Sequence, residues 1–160
     1  MILRPVNLRF SFRAVLAASA AATAACSAGE PASNASTREQ SPAAPVASID
    51  APEALALVSR GAVVIDVREP AELAESSKLR GAINVPLSTI RAQAARGRVP
   101  AELIAQRGRD LIFYCRSGRR SAEAAETVRQ FGFTKVHNLG GRDDAAAAGY
   151  PVEAGARPGE

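Results

Sequence analysis

The sequence has few of the side chains that build disulfides and metal centres. Its 160 residues include two cysteines, Cys26 and Cys115, one histidine, His137, and no tryptophan. Two cysteines exclude a disulfide framework and a multi-cysteine zinc site, so we expect no metal ion and no other cofactor. If Cys26 is modified or removed, Cys115 is the only free thiol. We interpret His137, which falls in a predicted strand, as a surface or core residue rather than a general base.

The sequence also lacks a strongly basic face. The formal net charge is +4, from 20 lysines and arginines against 16 acidic residues. Three of the basic residues, Arg4, Arg9 and Arg13, lie in an N-terminal stretch without acidic residues. Without them the basic residues fall from 20 to 17 against 16 acidic ones, and these charges are interspersed. Because nucleic-acid binding needs a basic patch, we predict no nucleic-acid partner.

A positively charged start followed by a short apolar run is typical of a secretory signal peptide, which we predict over residues 1–25. The apolar part, Ala14–Ala25, is too short to span a bilayer. The residues Thr23–Ala24–Ala25–Cys26 are similar to a bacterial lipobox, which makes Cys26 a lipidation candidate. Cleavage after Ala24 by the ordinary signal peptidase is the alternative. We therefore expect an exported, periplasmic protein that contacts a membrane only through an N-terminal lipid anchor.

The rest of the chain is predicted to form one domain. Residues 26–48 are rich in Ala, Ser and Pro and are predicted to be a flexible linker, residues 49–153 the domain, and 154–160 a disordered tail. Within the domain, apolar runs alternate with helical patterns, which predicts an α/β fold with a mainly parallel central sheet flanked by helices on both faces. The predicted strands are 62–66, 82–86, 111–115 and 135–139. The predicted helices are 51–59, 70–75, one beginning at 87, 101–106, 122–130 and a weak one after 141.

The most informative stretch joins a buried strand, Leu111–Cys115, to a helix over 122–130 through a polar loop. The first N–H groups of a helix have no internal partner and carry the positive end of its dipole, so a loop entering such an end forms a nest for an anion. The anion can be the thiolate of Cys115, whose pKa we expect to lie below the ordinary value of about 8.5. We therefore predict that Cys115 is a nucleophile. The alternative is a small buried core residue, but the Arg-Ser-Gly-Arg-Arg-Ser sequence that follows cannot lie in a core.

Five segments, in order along the chain, resemble the signature motifs of the rhodanese domain. They are Val64–Pro70, Gly81–Leu87, Tyr114–Ser121, Leu139–Gly141 and Ala148–Pro151. Together they span nearly the whole predicted domain, and its form is most similar to that of small, exported, single-domain thiosulfate sulfurtransferases.

The resemblance implies sulfur transfer through a persulfide. Cys115 would take the outer sulfur of a small anionic donor such as thiosulfate and deliver it to a thiol or to cyanide. The loop arginines would attract the donor, and the loop amides and hydroxyls would stabilise the negatively charged sulfur. Asp66 and Arg68, at the end of the neighbouring strand, are predicted to support the loop rather than to perform chemistry. The predicted active-site loop consists of Arg116, Ser117, Gly118, Arg119, Arg120 and Ser121.

Other functions remain open alternatives. A tethered persulfide carrier or redox-sensing module would use the same lone Cys115, taken to be exposed, and would not need turnover. A structural domain of the same fold is a further alternative, which the complete loop argues against. Cysteine phosphatases of similar fold use a Cys-x5-Arg loop, whereas the sixth residue after Cys115 here is Ser121 and Arg120 comes one place early. The shorter loop favours a sulfur atom over a phosphate group.

Overall fold

The computed structural model describes residues 45–155. The predicted signal peptide over 1–25, the lipidation candidate Cys26, most of the linker and the end of the tail lie outside the described residues. Within those residues, no helix combines the length and the apolar character needed to cross a membrane. The strands are β1 (Ala47–Ser48), β2 (Val63–Asp66), β3 (Lys78–Leu79), β4 (Ile83–Asn84), β5 (Leu111–Cys115), β6 (Val136–Gly141) and β7 (Val152–Glu153). The helices are α1 (Ala51–Ser59), α2 (Pro70–Glu75), α3 (Leu87–Ala94), α4 (Ala101–Ile104), α5 (Arg119–Gln130) and α6 (Arg142–Ala147).

Five strands form a parallel sheet in the order β1-β6-β5-β2-β4. Every residue of β2 and β5 is buried, as expected for central strands covered on both faces. Alternate residues of β5 point to opposite faces: Phe113 joins a core with α3, α4 and α5, whereas Ile112 and Tyr114 join a core with α1 and α6. This arrangement confirms the predicted α/β class with helices on both faces of a mainly parallel sheet.

Local sequence explains most element boundaries. The Asp50 carboxylate accepts a hydrogen bond from the amide of Glu53 at 2.8 Å and caps α1, as the sequence predicts. Helix α2 begins at Pro70, where the missing N–H has no cost. Helix α5 begins at Arg119, three residues before the predicted start, because Gly118 makes the turn inside the polar loop.

Three short strands were not predicted. Strand β1 lies inside residues 26–48, which were predicted as linker. Ala47 and Ser48 pair with His137 and Asn138 of β6, so the last two residues of the predicted linker belong to the sheet. Strands β3 and β7 form a separate antiparallel pair. The predicted strand 82–86 shortens to the two residues of β4. These strands have two residues each and pair through the backbone, so side-chain periodicity gives little sign of them.

The topology places the catalytic candidates at one edge of the sheet. Strands β2 and β5 are parallel and in register, with Asp66 opposite Tyr114. Their carboxyl ends therefore meet, and Cys115 emerges beside the residues that follow β2. Ligands of open parallel sheets bind at this edge.

Candidate active site

The loop after β5 turns back over Cys115 through Gly118. This glycine has φ +88°, a conformation in the left-handed region, and its amide donates a hydrogen bond to the Cys115 sulfur at 3.1 Å. A Cβ at Gly118 would lie 3.2 Å from the Cα of Gly140 at the end of β6. The turn therefore requires glycine both for its backbone angle and for its close approach to β6.

Hydrogen bonds within the loop favour the thiolate of Cys115. Burial raises the pKa of the Cys115 thiol, but hydrogen bonds from the backbone and hydroxyl of Ser121 and from the backbone of Ser117 and Gly118 outweigh it, so the net pKa is lowered. The Ser121 hydroxyl is fully buried, lies 3.7 Å from the sulfur and also 2.8 Å from the carbonyl oxygen of Gly118. The loop thus places the Gly118 amide and the Ser121 hydroxyl at the sulfur.

Cys115 itself is fully buried, which corrects the exposed thiol assumed for the redox-sensing alternative. The sulfur lies beneath the loop. The exposed residues of this loop are Arg116, Ser117 and Arg119. The strand end is covered because the loop closes on β6.

The three loop arginines differ in their surroundings. Arg116 and Arg119 are exposed, and no side-chain hydrogen bond or ion pair holds either of them within residues 45–155. Arg120 is half-buried, and its Nη1 and Nη2 donate to the two carboxylate oxygens of Glu72 at 2.6 and 2.7 Å. Of the three, Arg120 has a fixed partner.

Glu72 is a site residue that sequence reasoning missed. The hydrogen bonds from Arg120 lower the pKa of Glu72 to about 2, so its carboxylate is ionised at all working pH values. The only local signal was an acidic residue in the first turn of α2, which favours any helix N-terminus. Its partner lies 48 residues away, and nothing in the local sequence links the two.

Asp66 and Arg68 lie in a buried network under the loop. The Arg68 guanidinium donates to both carboxylate oxygens of Asp66, with Nη2 at 2.7 Å, and the Tyr114 hydroxyl donates to the same carboxylate at 2.5 Å. The Tyr114 oxygen also accepts a hydrogen bond from the Leu79 amide at 3.1 Å. Burial and the neighbouring Asp66 raise the pKa of Tyr114, so it stays a neutral donor. The network holds the residue before Cys115, a geometry compatible with the supporting role predicted for Asp66 and Arg68.

A cavity of about 260 Å³ opens between this network and the loop. Its lining mixes both signs of charge and includes Arg68, Glu72, Glu75, Ser76, Arg116 and Arg142. A second cavity of about 270 Å³, lined by residues 107–109 and 132–135, lies at the opposite edge of the sheet and away from Cys115. In the described part of the chain, no group of three or more His, Cys, Asp or Glu side chains is arranged to hold a metal ion.

The model of the rhodanese-like domain matches residues 50–145, which include the loop and its supporting network. The chain belongs to the rhodanese-like domain family. This match confirms the resemblance inferred from the five sequence motifs.

Named relatives of this rhodanese-like domain include sulfurtransferases. The chain is 34% identical over 82 residues to the thiosulfate sulfurtransferase PspE of Escherichia coli, a match covering 51% of this chain and 72% of the relative. It is 33% identical over 93 residues to a sulfurtransferase of Allochromatium vinosum, covering 58% of this chain and 78% of the relative. The relatives support sulfur transfer as the general activity of this rhodanese-like domain.

Solved structures agree on the fold. A rhodanese-related protein of Thermoplasma volcanium is 32% identical with a TM-score of 0.54, covering 67% of this chain and 97% of that one. A Rhodopseudomonas palustris protein of unknown function, described as a possible tyrosine phosphatase, is 29% identical with a TM-score of 0.57, covering 68% of this chain and 85% of that one. Both share the parallel α/β architecture of the rhodanese-like domain.

Proposed function

We propose that the protein is a sulfurtransferase that moves a sulfane sulfur from a small anionic donor, such as thiosulfate, to a thiol or cyanide acceptor through a persulfide on Cys115. The observation that carries the proposal is the set of donors around the sulfur, above all the Gly118 amide at 3.1 Å. These donors stabilise a negative sulfur, both as the attacking thiolate and as the terminal sulfur of the persulfide.

The two half-reactions need no external oxidant or reductant. In the first, the Cys115 thiolate attacks the outer sulfur of thiosulfate, a new S–S bond forms, and the original S–S bond breaks with its electron pair leaving on sulfite. In the second, the acceptor attacks the outer sulfur of the persulfide, and the electron pair of that bond returns to Cys115 as thiolate. Cyanide gives thiocyanate, and a thiolate gives its own persulfide. A thiolate with a lowered pKa needs no separate general base.

Intact-mass spectrometry tests the first half-reaction. Protein incubated with thiosulfate is expected to gain the mass of one sulfur atom, and added cyanide should remove that sulfur as thiocyanate. The Cys115→Ala variant should show neither change. A wild-type protein that gains no sulfur and forms no thiocyanate above the Cys115→Ala background would reject the proposal.

The loop geometry argues against phosphatase activity. Phosphate binding by a cysteine loop needs a cradle of Cys-x5-Arg length, but here Arg120 is the fifth residue after Cys115 and the sixth is Ser121. We therefore expect no hydrolysis of an aryl phosphate. Cys115 is buried rather than exposed, and this burial bears equally on the redox-sensing alternative and on a sulfurtransferase, because both need the sulfur to be reached.

We further propose that the protein is exported to the periplasm and anchored through lipid on Cys26. The support is the sequence of residues 1–26, with its basic start, short apolar run and small residues before the cysteine. Labelling of the full chain with radioactive palmitate in a bacterial host should mark the wild type. The Cys26→Ser variant should be unlabelled, and equal labelling of both would contradict the anchor.

A further inference from the structure

A carboxylate on a neighbouring helix grips one arginine of the active-site loop. Glu72 lies on α2, and Arg120 lies in the first turn of α5. Two parallel hydrogen bonds of 2.6 and 2.7 Å join them, the bidentate geometry that orients a guanidinium most strongly. The Glu72 carboxylate is itself held, because its Oε2 also accepts the amide of Glu69 at 3.0 Å.

The same arginine lies beside the nucleophile in the loop. Its neighbours Gly118 and Ser121 contact the Cys115 sulfur at 3.1 and 3.7 Å. Hydrogen bonding to Glu72 and the charge of Cys115 hold the pKa of Arg120 above its ordinary value. A guanidinium has about five N–H donors. Glu72 occupies two of them, so the others remain for the sulfur and for a ligand bound there. The side chain thus links α2 to the loop that holds the reacting atom.

We propose that Glu72 is a positioning residue for sulfur transfer, fixing the Arg120 guanidinium at Cys115 so that it receives the negative charge of the sulfur donor. This inference rests on the proposed function for the identity of the donor. The positioning itself applies to any anion that approaches Cys115. It also separates Arg120 from Arg116 and Arg119, which have no such fixed partner within residues 45–155.

The Glu72 carboxylate could also act in the opposite direction, by repelling anions, so the direction of change on its removal tests the proposal. A carboxylate near the loop repels anions, so its removal would favour an anionic reagent if repulsion dominated. If positioning dominates, its removal releases a long, flexible side chain and disfavours the anion. The contacts favour positioning, because both Glu72 oxygens accept hydrogen bonds from Arg120, whose positive charge offsets that of the carboxylate.

The test compares two alkylating reagents on the full-length protein. Iodoacetate is an anion and iodoacetamide is neutral, and both modify the Cys115 thiolate by the same chemistry. The ratio of their rates therefore cancels changes in the thiolate fraction. We expect Glu72→Ala and Arg120→Ala each to lower this ratio by about three- to fivefold, the scale of a partly exposed charge interaction. The rate ratio of the double variant should fall no further than that of either single variant, because each substitution breaks the same Glu72–Arg120 pair.

Two further variants complete the experiment. Glu72→Gln keeps an oxygen that accepts one hydrogen bond, so its ratio should lie between those of the wild type and Glu72→Ala. It also keeps the test decisive if Glu72→Ala fails to fold. Glu126→Ala is the control: Glu126 also accepts a hydrogen bond from an arginine, Arg129, at 2.6 Å, but both residues lie in the later turns of α5, beyond the active-site loop. Its ratio should equal that of the wild type.

An unchanged or higher ratio on loss of the Glu72 carboxylate, or losses that add in the double variant, would overturn the positioning role. Alkylation requires no sulfur transfer, so this outcome is separate from failure of the proposed function, which is read from wild-type loading by thiosulfate. Where sulfur transfer proceeds, Glu72→Ala should raise KM for thiosulfate about three- to fivefold with a smaller change in kcat.

Discussion

The Ser121 hydroxyl is shared between a structural and a chemical partner. It lies 2.8 Å from the Gly118 carbonyl oxygen and 3.7 Å from the Cys115 sulfur, and it has one proton to donate. When the sulfur is a thiol, the shorter bond to the carbonyl is the better one. When the sulfur is a thiolate, its charge competes for the proton. The hydroxyl thus contributes to the lowered pKa of Cys115 alongside backbone amides, which every substitution except proline keeps.

Substituting Ser121 by Ala should raise the pKa of Cys115. The sign follows because a donor that stabilises the thiolate is lost while burial, which raises the pKa, remains. The measurement is the rate of alkylation by iodoacetamide against pH. The wild-type midpoint should lie below the ordinary thiol value of about 8.5, and the variant midpoint should move to higher pH. At neutral pH the variant should react more slowly.

Ser117→Ala serves as the control for this prediction. Ser117 acts on Cys115 through its backbone N–H, which the substitution keeps, and its exposed hydroxyl makes no hydrogen bond within residues 45–155. Its midpoint should match the wild type. Equal midpoints for all three proteins would show that the Ser121 hydroxyl does not act on the sulfur.

Among the described glycines with a positive φ, Gly118 should be the least tolerant of a side chain. Gly118→Ala combines an unfavourable φ of +88° with a contact of 3.2 Å to the Gly140 Cα. We expect the free energy of unfolding to fall by about 2–3 kcal/mol, against about 1–2 kcal/mol for the backbone angle alone. Gly61→Ala is the matched control, with φ +95° and open space around its Cβ. Urea unfolding of the two variants measures the difference. An equal loss of stability in both would show that the loop shifts away from β6 and relieves the contact with Gly140.

At the scale of elements, a buried polar network ties β2, β5 and β3 together beneath the loop. Tyr114 of β5 donates to Asp66 of β2 and accepts from Leu79 of β3, while Arg68 neutralises the Asp66 carboxylate. A buried carboxylate without partners is costly, whereas one with several donors fixes the elements that carry them. The C-terminal end of β5, and therefore the start of the active-site loop, is set by three strands rather than by β5 alone.

Removal of the Tyr114 hydroxyl should destabilise the domain. Tyr114→Phe leaves the Leu79 amide without its acceptor and removes one donor from Asp66, so we expect a loss of about 1–3 kcal/mol in the free energy of unfolding. Tyr150→Phe is the control, since Tyr150 is also buried but its hydroxyl makes no hydrogen bond in the described part of the chain. Thermal unfolding of both variants checks this, and equal changes in Tm would mean that the network adds no stability.

At the scale of the whole molecule, local sequence predicts the helices and strands better than the long-range contacts between them. The alternation of apolar strands and helices is written in periodicity, and the Cys115 loop is a contiguous segment whose donors follow from its own turn. The Glu72–Arg120 pair and the contact of Tyr114 with Asp66 each join residues 48 positions apart. They depend on the parallel pairing of β2 with β5, which local patterns do not specify. The prediction of an exposed Cys115 thiol was wrong for the same reason: the loop is covered by β6, which comes from a distant part of the sequence.

Strand β1 carries the remaining disagreement, because sequence composition assigned it to a linker. In the structure it extends the sheet at β6, and the Ile49 amide that follows it donates to the Asn138 carbonyl at 3.0 Å. A chain that begins at Pro45 keeps these bonds, whereas a chain that begins at Ile49 loses the β1 pairing and exposes the edge of β6. We expect the free energy of unfolding of the shorter chain to be lower by about 1–2 kcal/mol, which is the net contribution of one or two backbone hydrogen bonds. Urea unfolding compares the two chains, and equal stability would mean that residues 45–48 behave as linker after all.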